Sequence, residues 1–206
     1  MPQTQTPTPA PTSNAEQTTN ARIGAVMFRN RSWLPVPFIV VALLAPAHPS
    51  VVNWIAGAVL IVIGESIRLA GVSAAGTVTR RRSREVERLV TYGIFNWVRN
   101  PLYVGNFFIW MGFVVISGVM WFLPIAIVLF AIEYTLIVAY EEGVLESIFG
   151  TGYLEYKRST PRWFPRPPAR PEHGPHDWGE AWRSEISTFL QYAALAMVFG
   201  MKQKYM

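Results

Sequence analysis

The sequence predicts an all-α, polytopic membrane helix bundle, and three observations support this fold class. Of the 206 residues, 51% are hydrophobic and only 15% are charged, against about 25% charged residues in an average soluble domain. The apolar residues stand in blocks of about 15 to 25, the length of a helix that crosses a bilayer. The basic residues behind the net charge of +5 collect in a few polar segments, as the positive-inside bias of membrane proteins requires.

Composition also limits the chemistry. The chain has no cysteine, which excludes disulfides, thiolate catalysis and cysteine-based metal sites. The three histidines, His48, His173 and His176, lack the spacing of metal ligands on a helix, so we expect no metal. The basic residues lie beside apolar runs, which favours a membrane over a nucleic acid as their partner.

The N-terminal part of the chain is polar. Residues 1–20 are rich in Pro, Thr and Gln, and we expect them to form a disordered tail, without the basic start and apolar run of a signal peptide. Residues 21–206 are predicted to form one membrane domain. Within it, residues 21–32 mix apolar side chains with three arginines, which fits a short interfacial helix or a basic anchor beside the first span.

Five apolar runs are predicted to span the membrane. They cover about residues 33–47, 51–75, 103–119, 121–140 and 186–201. Pro35 and Pro37 suit the first turn of the first helix. The residues around Gly118 leave room only for a tight turn, so the third and fourth spans form a hairpin. No internal repeat is visible, which disfavours a transporter built on inverted halves.

The distribution of basic residues predicts the topology. Three precede the first span, six lie from Arg80 to Arg99 and six from Lys157 to Arg183, with none in the two short turns between spans. We place these three segments in the cytoplasm, although two further lysines near the C-terminus would then lie outside. The arginine run at 80–84 is expected to contact anionic lipid head groups.

Two polar clusters at the cytoplasmic ends of spans are the candidates for chemistry. In the first, VRNPLYVGN, Asn100 stands at a helix cap and Pro101 in the first helical turn. The free N–H groups at such a helix start can hold a carboxylate, and Arg99 adds a guanidinium. Tyr103 offers a stacking ring, and Gly105 permits close backbone approach. The alternative is an interfacial helix start with aromatic and basic anchors.

The second cluster, EEGVLESIFGTGYLEYKRSTPRWFP, follows the fourth span. Glu141 and Glu142 would be disfavoured at a helix C-terminus unless a cation relieves them. If the helix continues through Leu145, the pair only marks the exit from the membrane. The residues from Pro161 to Pro165 are interpreted as an aromatic and basic lid.

Together the two clusters resemble the signature blocks of the integral-membrane methyltransferases, which include isoprenylcysteine carboxyl methyltransferases and phospholipid N-methyltransferases. VRNPLYVGN is similar to the family's RHPxYxG signature. The second cluster is similar to its EE pair followed by spaced tyrosines and an Arg-Pro stretch. Asn100 replaces the usual histidine and cannot carry a proton near neutral pH. If that histidine only holds the cofactor, Asn can substitute for it, and otherwise this chain does without a base.

The resemblance implies about five transmembrane helices with a cytoplasmic pocket for S-adenosylmethionine. It also implies methyl transfer to a lipid or lipid-linked small molecule, as in isoprenylcysteine carboxyl O-methylation. The implied cofactor-binding residues are Arg99, Asn100, Pro101, Tyr103, Gly105, Glu141, Glu142, Tyr153 and Tyr156. The candidate catalytic residues are Arg99, Asn100 and Arg162.

Several charged and aromatic residues lie inside the spans or beside them. Ionisable groups there are costly and are either paired or functional. Glu65 and Arg68 are spaced to pair with each other, and they form a structural pair or contact the substrate head group or cofactor. Glu133 is a similar case, and Trp97 and Trp110 are expected to be interface or core aromatics.

Other functions stay open at this point. They are phospholipid N-methyltransferase, NADPH-dependent membrane reductase of isoprenoid or sterol type, and non-catalytic membrane protein. The lack of an obvious base favours a carboxylate acceptor, because an ammonium group must first lose a proton. Short loops without an organelle signal lead us to expect a prokaryotic inner membrane with the active site on its cytoplasmic side. The acceptor and the oligomeric state stay undetermined.

Overall fold

The computed structural model describes residues 19–76 and 88–205, and within these ranges the chain forms helices and no strand. The α-helices are α1 (Thr19–Arg29), α2 (Pro35–Leu44), α3 (Val51–Ala75), α4 (Pro101–Ile116), α5 (Phe122–Phe149), α6 (Thr151–Ser159) and α7 (Trp178–Tyr205). A short 3-10 helix, Gly93–Asn96, precedes α4. The all-α prediction is confirmed. The predicted tail, apart from its last two residues, and the arginine run at 80–84 lie outside the described residues.

Among the described residues, two helices are long and apolar enough to cross a membrane, α3 with 25 residues and α5 with 28. The bounds of α3 are those predicted, because a capping box between Ser50 and Asn53 starts it and Gly76 follows its last residue. Two further apolar helices, α2 and α4, have 10 and 16 residues. Two helices of the described residues therefore have the length and composition of membrane spans, while the number of five spans stays a prediction.

The glutamate pair lies inside α5, not at its end. The helix continues past residue 140 to Phe149 and stops at Gly150, whose φ of +52° favours glycine. The expected conflict between these carboxylates and a helix C-terminus therefore does not arise, because Glu142 is still two turns from that end.

The start of α4 differs in one detail from the prediction. Asn100 holds the cap position and Pro101 the first turn, but the Asn100 side chain makes no capping hydrogen bond. Its amide instead donates to the carbonyl oxygen of Arg162 at 3.2 Å. Asn100 therefore connects the helix start to the segment that follows α6.

Helices α3 and α4 pack backbone to backbone along facing glycines. A Cβ built on Gly64 would lie 2.5 Å from the carbonyl oxygen of Gly105, and one on Gly57 would lie 2.5 Å from that of Gly112. Small residues allow this close approach between membrane helices. The close approach expected for Gly105 is thus made to α3, and it brings polar residues of the two helices together one turn away.

The end of α7 is fastened to the end of α2. The Lys202 ammonium, only 8% exposed, donates to the carbonyl oxygens of Ala42 at 2.7 Å and Ala45 at 2.6 Å. Carbonyls at a helix C-terminus have no partner within the helix, and a cation satisfies them. This structural role accounts for the position of Lys202 without the positive-inside bias.

The N-terminal segment forms a helix that packs on α5. Gly24 allows the contact, because a Cβ there would lie 2.5 Å from the carbonyl oxygen of Leu136. Ile23 and Val26 remain exposed, as in an interfacial helix. Directly after α1, Arg31 lies 3.6 Å from Glu141, so this segment covers one end of the bundle.

Candidate functional site

A cavity of about 600 Å³ lies under α1, between α3, α4 and α5. Its volume is within the range of small-molecule and cofactor sites, about 300 to 1,000 Å³. Five residues predicted to bind the cofactor line it, namely Arg99, Asn100, Pro101, Tyr103 and Glu141. The two sequence clusters thus meet at one cavity, as expected for a binding site.

The walls of this cavity carry both signs of charge and several rings. Arg29, Arg31 and Arg68 line it in addition to Arg99, and Glu141 is the acidic residue among its described lining residues. Its aromatic lining residues are Phe28, Phe95, Tyr103, Tyr134 and Tyr140. A ligand with a carboxylate, a cationic group and a planar ring would find a partner for each of them.

Glu142 lies behind the cavity wall, buried with 4% exposure. The Nε atoms of Arg99 and Arg162 donate to the same carboxylate oxygen at 3.1 and 3.2 Å, and Arg162 also donates to the other oxygen. Arg99 donates in addition to the carbonyl oxygens of Lys157 and Thr160, each at 2.7 Å. Glu142 and Arg162 therefore hold Arg99 in place, and neither is a lining residue of the cavity.

Tyr153 and Tyr156 also lie outside the cavity, on α6. Both are buried, and the Tyr156 hydroxyl donates to the carbonyl oxygen of Phe95 at 2.7 Å. Burial raises the pKa of both phenols above the usual range, so both stay neutral near pH 7. Since Phe95 lines the cavity, Tyr156 supports the wall from behind.

The Glu65–Arg68 pair belongs to a larger polar cluster between α3, α4 and α7. Arg68 lies 3.5 Å from Glu65, and its Nη atoms donate to Asn106 at 2.6 Å and to the buried Glu185 at 2.9 Å. The Tyr192 hydroxyl donates to Glu65 at 3.0 Å. The predicted pairing is present, and Arg68 also lines the cavity.

Sequence reasoning missed Asn106, Glu185 and Tyr192 as members of this cluster. Asn106 ends the quoted string VRNPLYVGN, and an amide inside an apolar helix is a signal that could have been used. Glu185 and Tyr192 are seven residues apart, which places both on one face of a helix. Their partners on α3 could not be identified, because they lie more than a hundred residues away.

A second cavity, of about 240 Å³, lies deeper between α2, α4 and α7. Its walls are mainly apolar, and its lining includes Phe38, Ile109, Phe113, Leu195 and Phe199. It shares four lining residues with the first cavity, namely Arg31, Arg68, Asn106 and Tyr134. The two cavities thus adjoin at two arginines.

The remaining polar and aromatic candidates take different places. Trp110 lines the second cavity and packs on Phe38, while Trp97 is 46% exposed near the start of α4. Glu133 lines neither cavity. Only Trp110 of these three therefore touches the candidate site.

Comparisons with known proteins identify the same segment. The sequence model of the phospholipid methyltransferase family matches residues 52–152. A protein-S-isoprenylcysteine O-methyltransferase A from Arabidopsis thaliana is 34% identical over 116 residues, covering 52% of this chain and 57% of the relative. The protein-S-isoprenylcysteine O-methyltransferase from Homo sapiens is 32% identical over 128 residues, covering 55% and 42%.

The chain spans about half the length of these relatives, and no solved structure matches it significantly. The matched segment contains helices α3, α4 and α5 with VRNPLYVGN and the glutamate pair, which together build most of the polar cavity. This segment, about half of the chain, therefore matches the phospholipid methyltransferase family.

Proposed function

We propose that this protein is an integral-membrane methyltransferase that moves a methyl group from S-adenosylmethionine to a carboxylate on a lipid or lipid-linked molecule. The observation that carries the proposal is the pair of adjoining cavities. The larger carries charged groups of both signs and aromatic rings and is large enough for a cofactor, and the smaller is lined mainly by apolar side chains beyond the two arginines that it shares with the larger. Such a pair suits a reaction between one polar and one apolar ligand.

The residues of the larger cavity fit S-adenosylmethionine, which carries a carboxylate, an ammonium group, an adenine ring and a cationic sulfur. Asn100 and the N–H group of Leu102, in the first turn of α4, are suited to the carboxylate. Glu141 is suited to the ammonium group, and Tyr103 and Phe95 offer rings for adenine. Arg99 orients this wall through its bonds to Glu142 and to the segment after α6.

The reaction needs alignment more than proton transfer. When bound, S-adenosylmethionine supplies a methyl carbon whose bond to sulfur breaks with the electron pair staying on sulfur, as a carboxylate oxygen forms the new bond. The negative carboxylate becomes a neutral ester, and no proton moves. A chain with Asn100 in place of histidine can therefore support this reaction without a base.

Two arginines at the junction are suited to hold the acceptor carboxylate. Arg68 is fixed by Asn106 and Glu185, so its guanidinium is oriented before any ligand binds. Arg31 is held more loosely, with Glu141 at 3.6 Å and the Phe28 ring 4.5 Å from its guanidinium carbon. In this proposal Arg68 positions the acceptor carboxylate, and Arg31 closes over it.

A second candidate is N-methylation of a phospholipid amine, which the family name favours. An ammonium acceptor must first give up a proton. Among the described residues that line the two cavities, Glu141 is the only acidic one, and it faces Arg31. A carboxylate acceptor therefore fits the site better.

We extend the proposal to topology. The five predicted spans, which contain α2, α3, α4, α5 and part of α7, cross the inner membrane of a prokaryote, and α1, α6 and the larger cavity lie on the cytoplasmic side. The basic segments that flank this cavity support that side. Because the chain has no cysteine, single variants S147C and M120C can be labelled in oriented vesicles with an impermeant maleimide. We expect label from the cytoplasmic side on S147C and from the opposite side on M120C.

Cofactor binding tests the function directly. We expect purified protein in lipid nanodiscs to bind S-adenosylhomocysteine in calorimetry and not to bind NADPH. Glu141→Gln should weaken this binding about tenfold, because a carboxylate to ammonium contact contributes roughly 1.5 to 3 kcal/mol. Glu133→Gln, on the same helix but outside both cavities, should bind like the parent. Absence of S-adenosylhomocysteine binding at about 100 µM, a Kd that corresponds to only about 5.5 kcal/mol, would refute the proposal.

A further inference from the structure

We infer that α1 and the turn after it form a docking surface for the anionic lipid head groups of the membrane, and that docking there holds α1 over the larger cavity. The inference rests on the proposed function, because it takes that cavity as the cofactor site and α2 as a span. It adds a partner and a lipid dependence that the proposed reaction does not require.

Helix α1 presents two different faces. Its inner face packs on α5, where Gly24 allows close approach and the Phe28 ring lies 5.7 Å from that of Tyr140. Consecutive residues of a helix point about 100° apart, so Val26 lies on the side opposite to Phe28. This outer face carries Ile23 and Val26, which are 41% and 57% exposed. Apolar side chains thus stand on both sides of α1, and the inner side is the one that the described chain covers.

The outer face of α1 continues into an apolar surface on α2. Trp33, in the turn between the two helices, is 71% exposed. Val36, Val40 and Leu44 follow at steps of three and four residues and are also exposed, so they lie on one side of the chain. Tryptophan is enriched where a bilayer meets water. A surface that runs from such a tryptophan along a proposed span fits a lipid bilayer better than a protein partner.

The charge of this surface favours anionic lipid. Residues 19–34 contain three arginines and no acidic residue. Arg31 is engaged with Glu141, whereas Arg22 and Arg29 are exposed. These two exposed arginines are seven residues apart, which places them on one side of the helix. A basic residue near an anionic membrane surface strengthens membrane binding about fivefold, so two of them give a marked preference for anionic head groups.

The same segment forms part of the cavity wall. Ala25, Phe28 and Ser32 line the larger cavity. Arg29 also lines it and is exposed, so it stands between the cavity and the outer face. Since a ligand shifts an equilibrium towards the state that it binds better, lipid bound to the outer face in this position stabilises the closed wall.

A single fluorophore tests where the outer face lies. The chain has no cysteine, so Val26→Cys can be labelled with NBD in nanodiscs of phosphatidylcholine alone or mixed with phosphatidylglycerol. Quenching by lipids that carry a nitroxide near the top of the acyl chain should be at least twofold stronger in the mixture. A probe on Ser147→Cys, exposed near the end of α5, should be quenched weakly in both. Equal quenching of the Val26→Cys probe in the two lipid compositions would overturn the docking of anionic lipid.

Matched charge variants identify the contact. Arg22 is chosen because Arg29 also lines the cavity. Arg22→Gln should raise at least twofold the fraction of phosphatidylglycerol needed for half-maximal quenching of the Val26→Cys probe, and Arg22→Lys should keep the parent value. Arg158→Gln removes the same charge from an exposed position on α6 and should keep the parent value too. Equal shifts in Arg22→Gln and Arg158→Gln would mean that only net charge matters, and the docking surface on α1 would be refuted.

Calorimetry with S-adenosylhomocysteine in the same nanodiscs tests the effect on the cavity. The compound carries one carboxylate and one ammonium group, so an anionic surface neither attracts nor repels it. We expect its Kd to be at least threefold lower with phosphatidylglycerol, and this gain should disappear in Arg22→Gln. If it binds equally in both lipid compositions, docking does not close the cavity and the proposed function stands. If it binds in neither while the probe responds to anionic lipid, the methyltransferase proposal fails and the docking surface stands.

Discussion

Glu142 offers the sharpest test of how the site is built. Its carboxylate receives Arg99 and Arg162 and is buried. Glu142→Gln keeps the shape of the side chain but removes the negative charge, so that two guanidinium groups face an amide. The Arg99 side chain, 9% exposed, cannot turn to solvent, whereas that of Arg162, at 35%, can.

The expected loss of stability in Glu142→Gln follows from this difference in exposure between the two arginines. Removing one partner of a buried ion pair costs about 3 to 5 kcal/mol, and the freedom of Arg162 places this case near the lower end, about 3 kcal/mol. For a chain of this size the change corresponds to a fall in Tm of roughly 6 to 12 °C. Binding of S-adenosylhomocysteine should weaken as well, because Arg99 loses its anchor.

Glu146→Gln is the matched control. Glu146 lies one turn further along α5 and pairs with Lys157 at 2.9 Å, but both side chains are about a third exposed or more. Exposed pairs contribute only about 0 to 1 kcal/mol. Thermal unfolding followed by the fluorescence of the eight tryptophans measures both variants in nanodiscs. Equal Tm shifts for the two variants would refute the claim that Glu142 anchors the wall.

Two further predictions concern helix packing and pH. Gly64→Ala should destabilise the protein by about 1 to 3 kcal/mol, because the added methyl group meets the Gly105 carbonyl. Gly200→Ala, where a Cβ has open space, should be neutral or stabilising by up to about 1 kcal/mol, and denaturant titration compares them. Burial raises the pKa of Tyr153 above its value of about 10 in the unfolded chain, so the folded state binds more protons above pH 10. Stability should therefore fall as pH rises above about 10, and Tyr153→Phe should make that fall shallower in pH-dependent unfolding. If stability depends on pH identically in the parent and the variant, Tyr153 does not have the raised pKa described here.

Local patterns account for what the sequence predicted correctly. The bounds of α3 follow from one apolar run between a capping serine and Gly76, and the Glu65–Arg68 contact follows from i, i+3 spacing on that helix. The family could be identified because its two sequence blocks are each contiguous.

Two kinds of feature could not be predicted. One is the face of a helix on which a residue lies, and the other is which helices pack against each other. Glu141 and Glu142 are adjacent in sequence, which favours their interpretation as a pair, but consecutive residues of a helix point about 100° apart. One of them lines the cavity and the other lies behind its wall. The second cavity is assembled from α2, α4 and α7, and no local signal specifies that these helices meet.

The glycine contact between α3 and α4 has a consequence for how ligands move in and out. Because the facing glycines let these two helices interlock, sliding one along the other would push side chains such as Ile61 and Ile109 into the facing backbone, so we expect the helices to move as one rigid body. The motion that admits a ligand then belongs to helices that touch this pair through side chains. Because α7 is held to α3 by the bond from Arg68 to Glu185, opening of the smaller cavity on the α7 side is coupled to the orientation of the arginine proposed to hold the acceptor.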